Sequence, residues 1–172
     1  KRGIPVVLGG PHVTLLPDEA MQHADSVCIG YAEDSWPQLL RDFDRGQLQP
    51  VYRQGPNLSL ANSPFPRRDL FDSKHFLTQA VFEATRSCAH DCEFCVAPSA
   101  WGRKQIQRPV DWIIEDIRRV GEKKILFIDL NLVSDTKYAK ALFTALIPLG
   151  VSWFGLSTVI IGHDPELMEL MA

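Results

Sequence analysis

The chain has 172 residues, with 18 lysines and arginines against 21 aspartates and glutamates, and its formal net charge is −3. The 45% hydrophobic and 23% charged residues are typical of a folded globular chain and exclude disordered, collagen-like and coiled-coil proteins. No apolar run approaches the roughly 20 residues that span a bilayer, and the lack of a basic block argues against nucleic acid as a partner.

The first 48 residues alternate apolar runs with helix signals, which favours a parallel sheet of α/β class. Residues 5–8 and 26–29 are predicted to be short buried strands, because each apolar run ends at glycine. A short helix is predicted over residues 17–23. A second helix is expected to have Ser35 as its N-cap and an apolar face formed by Leu39, Leu40 and Phe43.

Residues 49–76 are predicted to be a proline-rich linker, since neither the strand period nor the helix period persists there. Residues 77–172 are predicted to contain three β-α units, which suit about half of a (β/α) barrel. A doubly wound sheet has the same connectivity and remains the alternative. Because the chain starts without methionine and stops inside a predicted helix, we expect it to be an internal piece of a longer protein.

Apolar runs and capping residues define the three β-α units. The expected strands are residues 79–85, 125–128 and 151–156. The first helix is predicted to start at Pro109, the second to be capped by Asp135, and the third to open at Asp164. Gly121 and Gly150 are the expected helix stops. The last strand is expected to leave an unpaired sheet edge.

Three cysteines, Cys88, Cys92 and Cys95, form a C-x3-C-x2-C pattern within eight residues. Three thiolates on one loop can hold three irons of a [4Fe–4S] cluster and leave the fourth iron open. The alternative is structural zinc with His90 as fourth ligand, although zinc sites usually join two separated ligand pairs. The clustering predicts a reducing compartment and therefore a cytoplasmic protein. Cys28 lies in an apolar run and is predicted to be a small buried hydrophobe.

With Phe94 before the last cysteine, the triplet resembles the C-x3-C-x-aromatic-C signature of radical S-adenosylmethionine enzymes. Five further segments resemble the branch with an N-terminal cobalamin-binding domain, namely residues 3–12, 24–30, 64–69, 101–103 and 127–131. The resemblance implies that residues 1–48 are the C-terminal part of a Rossmann-like cobalamin-binding domain. It also implies that residues 77–172 are the first half of a partial radical S-adenosylmethionine barrel.

The resemblance implies three cofactors: a [4Fe–4S] cluster, S-adenosylmethionine and cobalamin. In such enzymes the open iron binds S-adenosylmethionine, and one electron cleaves it to methionine and a 5′-deoxyadenosyl radical. The radical takes hydrogen from a carbon of a small-molecule substrate. Because cobalamin carries a methyl group in many relatives, methyl transfer is the leading activity, with ring formation or rearrangement as variants. A one-electron donor such as flavodoxin or ferredoxin is the implied partner.

The resemblance also implies cofactor contacts, although no catalytic residue is assigned. The residues concerned are Gly9, Gly10, His12 and Gly30 for cobalamin, Phe94 at the cluster, and Asp129 and Asn131 for the amino group of S-adenosylmethionine. An ordinary strand-to-loop turn is the alternative for the glycine pair, and a cap or turn for the last two residues.

Two residues depart from the family pattern. Ser87 stands before the first cysteine, where members usually have glycine, and is expected to be tolerated unless that backbone needs a positive φ. Leu130 separates Asp129 from Asn131, where members often have paired aspartates, so the expected pair of polar contacts is interrupted.

Two other functions fit parts of the pattern. A radical methylthiotransferase acting on RNA or protein would share the cysteine triplet. An iron–sulfur electron carrier or regulator would normally need a fourth cysteine, and Cys28 lies about 60 residues before the triplet.

Overall fold

The computed structural model describes residues 3–172, so Lys1 and Arg2, where the cut N-terminal end was expected, lie outside it. The chain forms two compact units. The first comprises residues 3–58 and Cys92–Gly102, and the second comprises Ser59–Asp91 and Arg103–Ala172. Each combines short parallel strands with helices, so the predicted α/β class is confirmed.

A three-stranded parallel sheet forms the centre of the first unit. Its strands are β1 (Val7–Leu8), β2 (Ser26–Ile29) and β3 (Val51–Arg53), with β2 in the middle. All four residues of β2 are buried, which explains its continuous apolar run. The two predicted strands are confirmed, the first of them shorter than expected. β3 lies inside the predicted linker, and only Tyr52, its middle residue, is buried.

Four helices complete the first unit: α1 (Pro11–Leu15), α2 (Pro17–Ala20), α3 (Ser35–Asp44) and α4 (Ala97–Trp101). The sheet has a small core on each face, because successive β2 side chains point to opposite sides. Val27 and Ile29 pack with Val13 of α1 and Ala20 of α2. Cys28 packs with Leu39 and Tyr52, which confirms it as a buried hydrophobe.

The start and the apolar face of α3 differ from the prediction. The N-cap position belongs to Asp34. Ser35 is the first helical residue and is buried, and its hydroxyl has no hydrogen-bond partner among the residues that the structure describes. Leu39 is buried, whereas Leu40 and Phe43 are exposed. The helix is therefore held by a narrower apolar stripe than its sequence indicates.

The second unit is built on a parallel sheet with strand order β4 (Val81–Phe82), β7 (Lys124–Phe127), β8 (Ser152–Phe154). A second pair, β5 (Thr85–Arg86) and β6 (Ile106–Gln107), is antiparallel. The predicted strand over residues 79–85 is thus divided between two sheets. Within the described sheet β8 is an edge strand, as predicted.

The helices of the second unit are α5 (Val110–Val120), α6 (Thr136–Leu146) and α7 (Pro165–Met171). The predicted caps are confirmed: Asp135 accepts from the Tyr138 amide at 3.1 Å, and Asp164 accepts from the Leu167 amide at 3.0 Å. Gly121 follows α5 in the left-handed conformation, as predicted. Gly150, also left-handed, ends the 3₁₀ turn Ile147–Leu149 after α6. Further 3₁₀ turns cover Arg68–Leu70, Ser73–His75 and Val159–His163.

One continuous core joins the sheet of the second unit to its helices. Its largest fully buried members are Phe127 of β7, Phe143 and Leu142 of α6, Ile113 of α5, Leu132 and Leu167. This packing holds the C-terminal ends of β4 and β7, where the polar residues of the candidate site follow. Over residues 3–172, no helix has both the length and the apolar character needed to cross a membrane.

Candidate functional site

The cysteine triplet lies on the irregular segment between β5 and α4. None of its thiols is in a disulfide; Cys88 is half-buried, and Cys92 and Cys95 are exposed. The amide of Cys95 donates to the carbonyl of Cys92 at 2.9 Å, which closes a turn. The boundary between the compact units falls after Asp91, so Cys88 belongs to the second unit and the other two cysteines to the first.

The donor chemistry of the triplet fits an iron–sulfur cluster. Thiolates are the protein ligands of such clusters, and none of the three cysteine residues is buried. Across residues 3–172, no three His, Cys, Asp or Glu side chains are gathered as the ligands of one metal ion. Phe94, between the last two cysteines, is 93% exposed, so its ring faces solvent.

Ser87, immediately before the first cysteine, has a φ of 67° and is 1% exposed. This is the left-handed region, which a residue with a β-carbon adopts only at a cost. Serine was expected to be tolerated unless the backbone needed a positive φ, and the backbone does need one. The residue leading into the cysteine loop is therefore strained.

Asp129 follows β7 and is buried, with 1% of its surface exposed. Its carboxylate accepts from the Ala84 amide at 3.1 Å, from the Thr85 amide and from the Thr85 hydroxyl at 2.7 Å. Burial raises the pKa of this carboxyl above its ordinary value, and the hydrogen bonds from Thr85 and Ala84 offset part of the rise. Asp129 thus binds the chain that leads from β4 into β5.

Asn131 lies in the same buried network. Its Oδ1 accepts from the Val133 amide at 3.3 Å, and among the described residues its Nδ2 has no partner. The side-chain amide of Gln105 donates to the Asn131 carbonyl at 3.1 Å and to the Thr85 hydroxyl at 3.2 Å. Sequence reasoning missed Gln105 and Thr85, because a single Gln or Thr near a strand carries no local signal.

Tyr138 of α6 completes this network. Its hydroxyl lies 2.7 Å from the Arg108 carbonyl and 3.2 Å from the Ala84 carbonyl, and its single proton is donated to the nearer. Burial and the charge of Asp129 raise the pKa of this hydroxyl, so it remains a donor. Through Ala84, which precedes β5, and Arg108, which follows β6, this strand pair is therefore connected to the end of the parallel sheet and to α6.

The two glycines after β1, Gly9 and Gly10, have different surroundings. A Cβ on Gly9 would lie 3.6 Å from the Cys28 Cβ, an ordinary contact within the core. Gly10 has a φ of 98°, and within residues 3–172 a Cβ there would meet no heavy atom within 4 Å apart from its chain neighbours. The open space beside Gly10 is what a ligand approaching the backbone requires.

Two hydrogen bonds of the Thr14 hydroxyl connect Gly30, which follows β2, to Gly10 of the glycine pair. The Gly30 amide donates to the Thr14 hydroxyl at 3.0 Å, and that hydroxyl donates to the Gly10 carbonyl at 2.9 Å. His12 lies on α1, with its side chain 65% exposed and its Nε2 3.5 Å from a Glu19 carboxylate oxygen. Of the four residues predicted to contact cobalamin, Gly9, Gly10 and Gly30 thus lie on the loops that leave β1 and β2, and His12 lies in the first turn of α1.

The segment after the cysteines packs within the first unit. α4 lies against α1, and the ring of Trp101 stacks on Tyr31 with 4.6 Å between centroids and 13° between planes. Tyr31 directly follows Gly30. Cys92 and Cys95 therefore share one compact unit with the glycine loops.

No protein-family model matches the chain. It is similar to the bacteriochlorophyllide d C-12(1)-methyltransferase of Chlorobaculum tepidum, with 31% identity over 96% of the chain. It is also similar to the hopanoid C-2 methylase of Rhodopseudomonas palustris, with 28% identity over 98% of the chain. The chain spans 38% and 34% of the length of these two relatives. The ribosomal protein uS12 methylthiotransferase of Hydrogenovibrio crunogenus is 32% identical over 51% of the chain and 19% of its own length.

Proposed function

Because this chain belongs to the radical S-adenosylmethionine enzymes of the cobalamin-binding-domain branch, we propose that it is part of a methyltransferase acting on an unactivated carbon of a small molecule. The observation that carries the proposal is the extent of the similarity. The relatives that match 96% and 98% of the chain are named a methyltransferase and a methylase, whereas the methylthiotransferase matches 51%.

Cys88, Cys92 and Cys95 would hold a [4Fe–4S] cluster, with the fourth iron open to S-adenosylmethionine. When bound, the reduced cluster supplies the electron that cleaves S-adenosylmethionine. Because the thiols are accessible and unpaired by disulfides, they suit a reducing compartment, and we place the protein in the cytoplasm with a flavodoxin or ferredoxin as electron donor.

The first unit would be the C-terminal part of the Rossmann-like cobalamin-binding domain. Its three parallel strands end in glycine-containing loops, and the space beside Gly10 admits a flat ligand to the backbone. Bound cobalamin supplies the methyl group. The second unit would be the start of the barrel, since its parallel strands follow one another in chain order and α5 and α6 pack on them.

Asp129 and Asn131 were predicted to hold the amino group of S-adenosylmethionine. Asp129 accepts three hydrogen bonds from within the chain, so an ammonium would have to displace or share them. Asn131 has a buried Nδ2 without a partner among the described residues, and this donor suits the carboxylate of S-adenosylmethionine. We therefore propose that Asn131 contributes the more direct contact of the two.

The full-length protein, reconstituted anaerobically with iron and sulfide, tests the cluster assignment. Cys88→Ala, Cys92→Ala and Cys95→Ala should each lose the broad visible absorption of iron–thiolate charge transfer and the reductive cleavage of S-adenosylmethionine. Cys28→Ala is the matched control. Because Cys28 packs against Leu39 and Tyr52, away from the triplet in the sequence, its replacement should leave the spectrum unchanged. A complete cluster in any of the first three variants, or stoichiometric zinc in the native protein, would contradict the assignment.

Methylthiotransfer is the second candidate, favoured by the 32% identity to the uS12 enzyme over about half of the chain. Mass spectrometry of the product distinguishes the two activities, because methylthiotransfer adds a sulfur atom together with the methyl group. Dependence on added cobalamin favours methyl transfer, and sulfur in the product overturns it.

A further inference from the structure

Asp129 binds the backbone from which the cysteine loop departs. The amides of two consecutive residues, Ala84 and Thr85, converge on its carboxylate together with the Thr85 hydroxyl. At this point the chain leaves the parallel sheet, because β4 pairs with β7 whereas β5 pairs with β6. Thr85 stands three residues before Cys88, so the carboxylate holds the start of the loop that carries the first candidate ligand.

Further hydrogen bonds to Thr85 and to Ala84 support their contact with Asp129. The Thr85 hydroxyl donates to Asp129 and accepts from the Gln105 side-chain amide at 3.2 Å, which polarises both hydrogen bonds in the same direction. The Arg108 amide donates to the Ala84 carbonyl at 2.9 Å across the β5–β6 pair. Because Asp129 and Thr85 are each only 1% exposed, water cannot replace a lost partner there.

The strain at Ser87 lies between this contact and the first cysteine. A non-glycine residue remains at a φ of 67° only where its surroundings leave it no alternative. The hydrogen bonds to Asp129 fix the backbone two residues before Ser87. Without them, Ser87 would be expected to relax towards a negative φ and carry Cys88 away from its present position.

We propose that Asp129 is a positioning residue for the iron–sulfur cluster, acting through the Ala84–Thr85 backbone to place Cys88, rather than only a contact of S-adenosylmethionine. The inference rests on the proposed function where it concerns the cluster. Its structural part, that Asp129 determines the exposure of the Cys88 thiol, does not depend on iron.

Asp129→Asn in the full-length protein is the informative change. It preserves the size of the side chain but places an NH₂ donor against the donating amides of Ala84 and Thr85. Asp116→Asn is the matched control, because Asp116 is a buried carboxylate of the same unit, 3% exposed, that pairs with Arg68 instead. Both variants lose a buried carboxylate, so thermal unfolding reports how far general destabilisation contributes.

The first measurement uses the protein without iron. Alkylation by iodoacetamide, followed at each cysteine by mass spectrometry, should become several-fold faster at Cys88 in Asp129→Asn than in the wild type. Cys95 should react unchanged, since it is already exposed. Unchanged reactivity of Cys88, or an equal increase in Asp116→Asn, overturns the proposal whether or not the protein binds a cluster.

The second measurement uses the reconstituted protein without S-adenosylmethionine. Asp129→Asn should change the electron paramagnetic resonance spectrum of the reduced cluster and release iron to a chelator several-fold faster, whereas Asp116→Asn should retain the wild-type spectrum. A wild-type spectrum and release rate in Asp129→Asn, combined with weaker S-adenosylmethionine binding, would assign the residue to S-adenosylmethionine alone. Failure of the wild type to bind four irons would contradict the proposed function, and the alkylation result would still decide the positioning role.

Discussion

Ser87 shows how a single residue can conflict with its backbone. Ser87 is 1% exposed and has a φ of 67°. Its β-carbon carries a steric penalty at this φ, whereas glycine would carry none. Such strain is retained most often near functional sites, and here it directly precedes Cys88.

Ser87→Gly is therefore expected to raise the free energy of unfolding by about 1 kcal/mol, as measured in urea. Ser26→Gly is the control, since Ser26 is equally buried but lies in β2, where glycine weakens a strand. The control should lower stability. Loss of stability in Ser87→Gly as well would show that the positive φ carries no strain.

Gly10 is the second position where backbone conformation and proposed function meet. A valine there would occupy the open space beside the backbone and exclude a ligand from it. We expect Gly10→Val to weaken cobalamin binding in the full-length protein and to leave the cluster spectrum intact.

Gly46→Val is the control for Gly10→Val, because it adds the same backbone strain without blocking the proposed cobalamin site. Gly46 has a φ of 68° and equally open surroundings, but it follows α3 and precedes β3, at the opposite edge of the parallel sheet. Isothermal titration with cobalamin should show reduced affinity in the Gly10 variant alone. Equal losses in both variants would indicate an ordinary turn at Gly10.

At the scale of elements, Arg68 anchors the predicted linker to the edge of a sheet. Its guanidinium pairs with Asp116 of α5 at 2.7 and 3.0 Å. It also donates to the carbonyls of Gln79 at 3.1 Å and Val81 at 2.7 Å, on the side of β4 that faces away from β7. Backbone carbonyls at a sheet edge need hydrogen-bond donors. The Arg68 side chain supplies the donors that a further strand would otherwise provide.

Arg68→Ala is expected to destabilise the second unit by about 3–5 kcal/mol, because it leaves the Asp116 carboxylate buried without its partner. The adjacent Arg67→Ala is the matched control, since the Arg67–Asp69 pair is exposed and should matter little. Urea unfolding followed by tryptophan fluorescence measures both. Similar losses in the two variants would show that burial of the Arg68 pair is unimportant.

At the scale of the whole molecule, the first unit is assembled from two separate stretches of chain. Residues 92–102 belong to it although the second unit begins at Ser59. α4 packs on α1, and Trp101 stacks on Tyr31, so the segment that carries two cysteines also supports the helix that follows the glycine pair. A chain cut within the predicted linker would separate these helices.

Trp101→Ala is expected to increase hydrogen exchange at the Thr14 amide of α1 and at the amide of Leu16, its C-cap residue. The reason is that a stacked aromatic pair contributes about 0.5–1.5 kcal/mol beyond its buried area. Trp36→Ala, on the exposed side of α3, is the control and should leave these amides protected. Nuclear magnetic resonance of the full-length protein measures both. Unchanged exchange in Trp101→Ala would mean that α1 does not depend on α4.

The sequence by itself determined the features that depend on local pattern. These are the α/β class, the caps at Asp135 and Asp164, the helix stop at Gly121 and the spacing of the cysteine triplet. Each arises from the period of apolar residues or from the conformational preference of one residue, which neighbours in the chain are sufficient to express.

Only the tertiary structure decided the features that depend on contacts between distant residues. β3 is a strand because it pairs with the buried β2, although its own sequence is short and proline-flanked. Asp129 accepts from the Ala84 amide across 45 residues, and Ser87 adopts a positive φ that its residue type disfavours. The physical reason is that a buried hydrogen bond or a strained φ is stabilised by the packing around it, and packing is a property of the folded chain rather than of any segment.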